Sequence, residues 1–281
     1  MTGFSIEDVD GLYDCSANGS VVWETIEHDG FEKFCLAVQK YSSAASEHEN
    51  EQIDRARREL RNLRNTLTVS VLPFNHPDLQ LAESLDGLRP LVPVINGIVG
   101  VGDPLGEHLE EALESLSELS ELSDNPLGDR IVELALDVPD GRMAVACPAQ
   151  RFLQRSITFF AKYAFSHRLD VGTPTELVRL PALEALFVLG TPRWYQNDEF
   201  VFSAPRAKTV YLMHWNWVNA GALPRRPSIA GGRMGQSNPG LAPSPPEVPR
   251  RFVEGSDVAE AVNWREVRDE GLSDREEGLG V

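Results

Sequence analysis

The sequence predicts an α/β protein in which a mainly parallel sheet with crossover helices follows an α-rich region and precedes a disordered tail. The first observation is a set of short apolar runs within residues 142–218, typical of buried strands: 143–147, 185–189, 200–202 and 209–213. The second is the helix-length amphipathic segment 150–165 between the first two runs. The third is a stretch rich in Gly, Pro and Ser, 224–249, which suits neither a helix nor a central strand.

The first 141 residues are expected to be mostly helical. In the segment 46–67, apolar residues at spacings of three and four fall on one stripe, which predicts a core-facing helix: Ile53, Ala56, Leu60, Leu63 and Leu67. Asp103 as N-cap and Pro104 at the first helical position predict the start of another helix. The remaining predicted elements are helices over 30–41, 107–122 and 129–136 and strands over 20–23, 68–72 and 91–95.

Turns and composition divide the chain into four predicted parts. The turn at 139–141 separates an acidic α-rich region with a few strands, 1–141, from a basic α/β module, 142–223. A flexible linker rich in Pro and Gly, 224–251, leads to an acidic tail, 252–281, with one short amphipathic helix.

Charge is distributed unevenly along the chain. The 281 residues carry 26 basic and 43 acidic groups, a net charge of −17, yet residues 142–226 carry 11 basic and 5 acidic groups. Such asymmetry points to an anionic partner. Pairing of these arginines with acidic groups of the first part is an equal alternative, and it stays open.

Cysteine usage and hydropathy indicate the compartment. Cys15, Cys35 and Cys147 are widely spaced and form no C-x-x-C, which argues against a disulfide framework and a structural zinc site and fits a reducing cytoplasm. No apolar stretch approaches the ~18 residues that span a bilayer. We therefore expect a cytoplasmic protein without a membrane partner.

Basic and aromatic side chains cluster around the later apolar runs. Aromatic faces that stack on bases, together with cations that bind phosphates, are what a surface for single-stranded nucleic acid requires. The alternative is that the tryptophans fill the core. The predicted nucleic-acid-binding residues are phosphate contacts, Arg193, Arg206 and Lys208, and stacking faces, Trp194, Tyr195 and Trp215.

A glycine-rich loop is a weaker candidate for cofactor binding. Gly100, Gly102 and Gly106 follow an apolar run and precede a predicted helix, a context in which backbone N–H groups hold phosphate. The loop lacks Gly-Lys-Ser/Thr, so it is not a P-loop. Asp103 and Glu107 also place negative charge where a phosphate would lie. An ordinary tight turn is the preferred interpretation, and we predict no cofactor.

Complete catalytic and metal-binding motifs are missing from the sequence. The 6 histidines include no pair at i,i+3 or i,i+4, so no metal site is predicted. Cys147 is interpreted as a small buried residue rather than a reactive thiolate. Open α/β sheets bind ligands at the carboxyl ends of their strands, which singles out the loops 147–150 and 190–193. No catalytic residue is assigned, and whether the chain is an enzyme stays open.

Two apolar runs resemble parts of a known family. Met143-Ala-Val-Ala-Cys-Pro148, followed by Gln150, is similar to the strand-to-helix segment after the nucleotide loop in the RecA-like cores of superfamily 2 helicases. Leu186-Phe-Val-Leu-Gly-Thr-Pro192 looks like a later strand of such a core. The resemblance is confined to residues 142–218 and lacks the Gly-Lys-Thr and Asp-Glu-x-His stretches of the ATPase. It implies a degenerate module that keeps the fold within a larger defence or DNA-processing assembly.

Three functions from different classes follow. The first is a non-catalytic nucleic-acid-associated module. The second is a nucleotide-binding enzyme that uses the strand-end loops. The third is a protein–protein interaction scaffold that docks a partner through its acidic helices and the amphipathic segment within 252–281.

Overall fold

The fold is α/β, as the sequence predicts. The computed structural model describes residues 5–100, 102–138, 140–190, 194–195 and 206–218. Within these ranges one parallel sheet of five strands is accompanied by nine α-helices. The predicted strand at 200–202, the linker 224–251 and the tail 252–281 lie outside the described residues.

The sheet has the strand order β1-β5-β4-β2-β3, and every neighbouring pair is parallel. Its strands are β1 (Ser20–Ile26), β2 (Met143–Ala146), β3 (Leu169–Gly172), β4 (Leu183–Leu189) and β5 (Ala207–Trp215). The strands predicted at 20–23, 143–147, 185–189 and 209–213 are confirmed, with shifted ends. β3 was missed because it is four residues long and contains Asp170.

Helices connect and flank the strands. They are α1 (Ile6–Asn18), α2 (Asp29–Ala45), α3 (Glu51–Val69), α4 (Leu81–Leu88), α5 (Leu91–Val99), α6 (Leu105–Ser120), α7 (Pro126–Asp137), α8 (Leu153–Phe160) and α9 (Pro174–Leu177). Short 3₁₀ turns occupy Pro77–Leu79, Gln150–Phe152 and Ala164–Arg168. No helix among the described residues is both long and apolar enough to cross a membrane.

The chain divides into two compact units. The sheet unit is built from Met1–Glu27, Val69–Pro73 and Asp124–Val248, as far as these ranges are described. The helical unit is built from His28–Thr68, Phe74–Ser123 and Pro249–Val281, with the same restriction. The boundaries predicted at 141, 223 and 251 stay predictions.

In the sheet unit, the central strands supply a largely apolar core. Phe187 of β4 and Tyr211 of β5 stack with ring centroids 5.2 Å apart. Helix α7 packs beside β1, where Arg130 Nη2 lies 3.0 Å from the Glu24 carboxylate. Asn125 caps α7 and also fixes the segment before it, because its Nδ2 donates to the carbonyls of Ser70 and Leu72.

In the helical unit, α2 and α6 pack as antiparallel neighbours. Two ion pairs define the direction: Lys33 with Glu118, at 2.8 Å, and Lys40 with Glu111, at 2.7 Å. Helices α4 and α5 also contact α6. Gly106, the second residue of α6, lies close to α5, because a Cβ there would collide with the side chain of Asn96.

Three predictions about local structure were wrong or only partly right. The run 68–72 is not a strand, since α3 continues to Val69 and the rest is irregular. The run 91–95 is helical: Leu91 and Ile95, four residues apart, are buried on one face of α5, and Pro93 lies in its first turn, where proline is tolerated. The helix predicted over 150–165 is broken into a 3₁₀ turn, α8 and the start of a second 3₁₀ turn.

Candidate functional site

The carboxyl ends of β2 and β4 form the topological switch point of the sheet. These strands are neighbours, yet the chain leaves β2 for β3 on one side and leaves β4 for β5 on the other. Open α/β sheets bind their ligands in the crevice at such a point. The two loops singled out by the sequence, 147–150 and 190–193, begin here, although residues 191–193 lie outside the described residues.

Tyr195 lies across this switch point. Its hydroxyl is 2.8 Å from the carbonyl oxygen of Ala146, the last residue of β2, and 2.9 Å from that of Leu189, the last residue of β4. The hydroxyl can donate its hydrogen to either carbonyl, one at a time, and it lies within hydrogen-bond distance of both. The Tyr195 side chain therefore links the ends of β2 and β4. Burial raises the pKa of Tyr195 well above its usual value, which keeps the phenol protonated. The protein's own side chain therefore occupies the position where a ligand would be sought.

Trp194 packs against the turn that follows β4. Gly190 has a φ of +80°, and a Cβ at this position would collide with the Trp194 ring. Glycine is required here both by the backbone conformation and by the close approach of the indole.

Cys147, directly after β2, is an inert thiol. It is fully buried, and its Sγ lies 3.7 Å from the Ser156 hydroxyl of α8. Burial raises the pKa of Cys147 to about 12, so the thiolate is not populated near neutral pH. The residue behaves as a small apolar side chain, in agreement with the sequence interpretation.

The structure buries the predicted stacking residues. Trp194 and Tyr195 are each 7% exposed, and Trp215 is fully buried with its ring stacked on that of Trp217, centroids 5.0 Å apart. A buried ring has no face available for a nucleobase. The stacking role stays a prediction that would require these rings to leave the core.

The predicted phosphate-binding cations have other contacts. Arg206 Nη1 donates to the carbonyl of Leu180 at 2.8 Å, and Lys208 Nζ pairs with Glu184 Oε1 at 2.7 Å. Arg193 lies outside the described residues. The described cations are therefore held against the N-terminal side of β4 and β5, away from the switch point at the opposite ends of the strands.

Backbone conformation and close packing explain the glycines of the glycine-rich loop. Gly100 ends α5 with a φ of +84°, Gly102 has a φ of +96°, and Gly106 is fixed by its packing against Asn96. Asp103 Oδ1 accepts a hydrogen bond from Leu105 N at 2.9 Å. The protein's own carboxylate thus binds at the N-terminus of α6, which agrees with the preferred interpretation of the loop as a tight turn.

A basic segment that the sequence interpretation did not single out lies around α8. Residues 141–169 contain five basic side chains and no carboxylate, in a chain of net charge −17. These side chains are Arg142, Arg151, Arg155, Lys162 and Arg168. The long interval without Asp or Glu is visible in the sequence and could have identified the segment.

Aromatic rings support two of these cations. The Arg151 guanidinium carbon lies 4.8 Å from the centroid of the Phe152 ring. Lys162 Nζ lies 4.4 Å from the Phe159 ring centroid and 5.1 Å from that of Tyr163. Basic and aromatic side chains are thus in contact with one another around α8.

A metal site finds no support in the described parts of the chain. No group of three His, Cys, Asp or Glu side chains there is arranged to hold a metal ion.

Comparison with known proteins identifies no relative. No family model matches the chain, and neither the curated proteins nor the solved structures include a match. The resemblance of residues 142–218 to RecA-like helicase cores therefore stays a prediction.

Proposed function

We propose that this chain is a non-catalytic nucleic-acid-associated protein that binds the phosphate backbone through the basic segment around α8. The observation that carries the proposal is the run of residues 141–169, which concentrates five cations and excludes every carboxylate in an otherwise acidic chain. Contacts between cations and phosphates supply a large share of the affinity of proteins for nucleic acids.

Three cations of this segment, Arg151, Arg155 and Lys162, lie within or next to α8 (Leu153–Phe160). Arg151 belongs to the 3₁₀ turn before α8, and Lys162 follows its end. Arg151 and Lys162 are exposed, and Arg155 is half-buried. Cations grouped in this way would suit contacts with the phosphates of a nucleic-acid backbone.

Aromatic contacts favour the same role. An aromatic ring attracts a guanidinium or ammonium group that lies over its face, and phosphate can be bound by N–H groups that point away from the ring. Arg142, directly before β2, pairs at 2.9 Å with Asp170 of the neighbouring strand β3. We therefore assign phosphate binding to Arg151, Arg155 and Lys162.

Binding on this proposal is electrostatic and largely independent of sequence. The phenylalanine rings at α8 are covered by protein and by the cations, so base stacking contributes little. Three phosphate contacts predict a slope of log K against log salt of about −2.7 for duplex DNA and about −2.1 for single strands. Affinity is then expected to fall about 20- to 40-fold between 50 and 200 mM salt.

The test is fluorescence anisotropy of labelled single-stranded and duplex oligonucleotides, titrated with the full chain at several salt concentrations. The variant Arg151→Ala/Arg155→Ala/Lys162→Ala should lose binding. Arg179→Ala is the matched control, since Arg179 is exposed in the sheet unit but lies outside the basic segment. An affinity that does not depend on salt, or a triple variant that binds as the wild type does, would contradict the proposal.

The predicted family relation fits this function. A RecA-like module without ATPase motifs would contribute nucleic-acid contacts to a larger DNA-processing or defence assembly. Retention of single-stranded DNA binding together with absent nucleotide hydrolysis would agree with that role.

A nucleotide-binding enzyme is the second candidate, and the adjacency of the β2 and β4 carboxyl ends favours it. It requires the Tyr195 side chain to move, because its hydroxyl now lies between the two strand ends. A nucleotide that raises the melting temperature in a saturable way would support this candidate over the first.

A further inference from the structure

A second polar cluster lies on the β1–β5 pair, apart from the basic segment. In parallel register Trp23 is opposite Leu212 and Thr25 is opposite His214, so the side chains of Trp23 and His214 project from the same face of the sheet. Their rings meet edge to face with centroids 5.0 Å apart.

One polar atom of each ring is buried without a hydrogen-bond partner in the described structure: Trp23 Nε1 and His214 Nε2. The Oδ1 atom of Asn216, two residues after His214, is a third such atom. Buried polar atoms are nearly always satisfied, and neighbouring exceptions point to a bound polar molecule.

The backbone determines which form of His214 is present. Its Nδ1 lies 3.0 Å from the carbonyl oxygen of Trp215, so Nδ1 carries the hydrogen and donates it. Since the ring is 1% exposed, burial lowers the pKa of His214 and keeps the ring neutral. Nε2 therefore presents a lone pair that requires a donor, while the Trp23 N–H requires an acceptor.

A ligand at this site must supply both an acceptor for the Trp23 N–H and a donor for His214 Nε2. An anion is only an acceptor and would leave His214 unsatisfied, whereas an ammonium group is only a donor and would leave Trp23 unsatisfied. A hydroxyl group both donates and accepts. Its small size also suits a position where the rings are already in contact.

We propose that Trp23 and His214 form a buried binding site for one hydroxyl oxygen, which accepts a hydrogen bond from Trp23 Nε1 and donates one to His214 Nε2. The hydroxyl belongs either to a resident water molecule or to an alcohol group of a small neutral ligand. His214 lies in the penultimate position of β5, and carboxyl ends of strands are where α/β proteins bind ligands. Asn216 supplies a further acceptor near the same strand end.

The test uses nuclear magnetic resonance of the full chain labelled with ¹⁵N. The Trp23 indole N–H, assigned with Trp23→Phe, is expected to show a cross-peak to a long-lived water. His214→Phe should abolish this cross-peak, whereas Trp217→Phe, which changes another buried indole of the same unit, should preserve it. If His214→Phe does not fold, the ¹⁵N resonance of His214 Nε2 in Trp23→Phe provides the second measurement, and it should move when the bridging hydroxyl is lost.

A glycerol titration separates the two sources of the hydroxyl. Saturable replacement of the water cross-peak, with shifts of both ring resonances, identifies an alcohol site. A cross-peak unchanged by glycerol identifies a resident water. No water cross-peak and no response to glycerol would overturn the proposal.

Discussion

Replacing Asn125 by alanine is expected to destabilise the sheet unit by about 3–5 kcal/mol. The side chain is 3% exposed and serves two segments: its Oδ1 accepts from Leu127 N at 3.0 Å, and its Nδ2 donates to the carbonyls of Ser70 and Leu72 at 2.8 and 2.6 Å. Loss of an N-cap costs about 1 kcal/mol. Each buried carbonyl left without a donor adds about 1–3 kcal/mol, and the lower half of that range suits carbonyls that regain some water.

Urea unfolding monitored by tryptophan fluorescence measures this loss, because the described tryptophans all belong to the sheet unit. Ser5→Ala is the matched control. Ser5 also caps a helix of this unit, accepting from Asp8 N at 3.1 Å, but its hydrogen bonds are exposed, so about 1 kcal/mol or less should be lost. Asn125→Ser, which keeps a capping oxygen and removes the amide, should fall between the two. Equal losses for Asn125→Ala and Ser5→Ala would refute the reasoning.

Three further predictions concern the strand ends. Tyr195→Phe keeps the ring but removes the hydroxyl between β2 and β4, so the free energy of unfolding should fall by about 1 kcal/mol, and an unchanged urea midpoint would contradict the bridging role. Burial lowers the pKa of His214, so the unfolded chain takes up the proton first as pH falls. The contribution of neutral His214 to stability is therefore present above about pH 6.5 and declines below it. The melting temperature of His214→Phe should decline less over the same interval. Gly190→Ala should lower the free energy of unfolding by more than about 1 kcal/mol, because φ is positive and a Cβ would collide with Trp194. Gly87→Ala is the control, since a Cβ there meets no atom, and it should be neutral or stabilising. Thermal unfolding measures both changes. A small effect at Gly190 would mean that the turn can change its conformation.

Local sequence was sufficient for most of the sheet. Short apolar runs identified four of the five strands within the described residues. It failed for 91–95, since a short apolar run alone does not distinguish a strand from a helix that buries one face. It also failed for 68–72, where the carbonyls that a sheet would have satisfied are bound by Asn125 from far along the chain.

The candidate site, like the fold, was only partly predictable from the sequence. The accumulation of basic residues in the middle of the chain was visible in the sequence. The loops after β2 and β4 were also identified from the sequence, as candidate ligand-binding loops. Which aromatic side chains are exposed was not visible, because alternation along β5 assigns Trp215 to a face without saying what covers that face. The contacts of cations with the Phe152 and Phe159 rings were not predicted, although the interval without Asp or Glu that contains these cations is visible in the sequence.

By itself, the sequence determined the fold class, the position of most strands and the uneven charge, because these follow from local periodicity and composition. Tertiary structure alone decided the strand order, and with it the adjacency of the β2 and β4 ends where Tyr195 lies. It also decided the burial of the predicted stacking rings and the edge-to-face meeting of Trp23 with His214. The physical reason is that pairing and burial depend on residues up to about 190 positions apart, such as Ser20 and Thr209, whose contact no local pattern encodes.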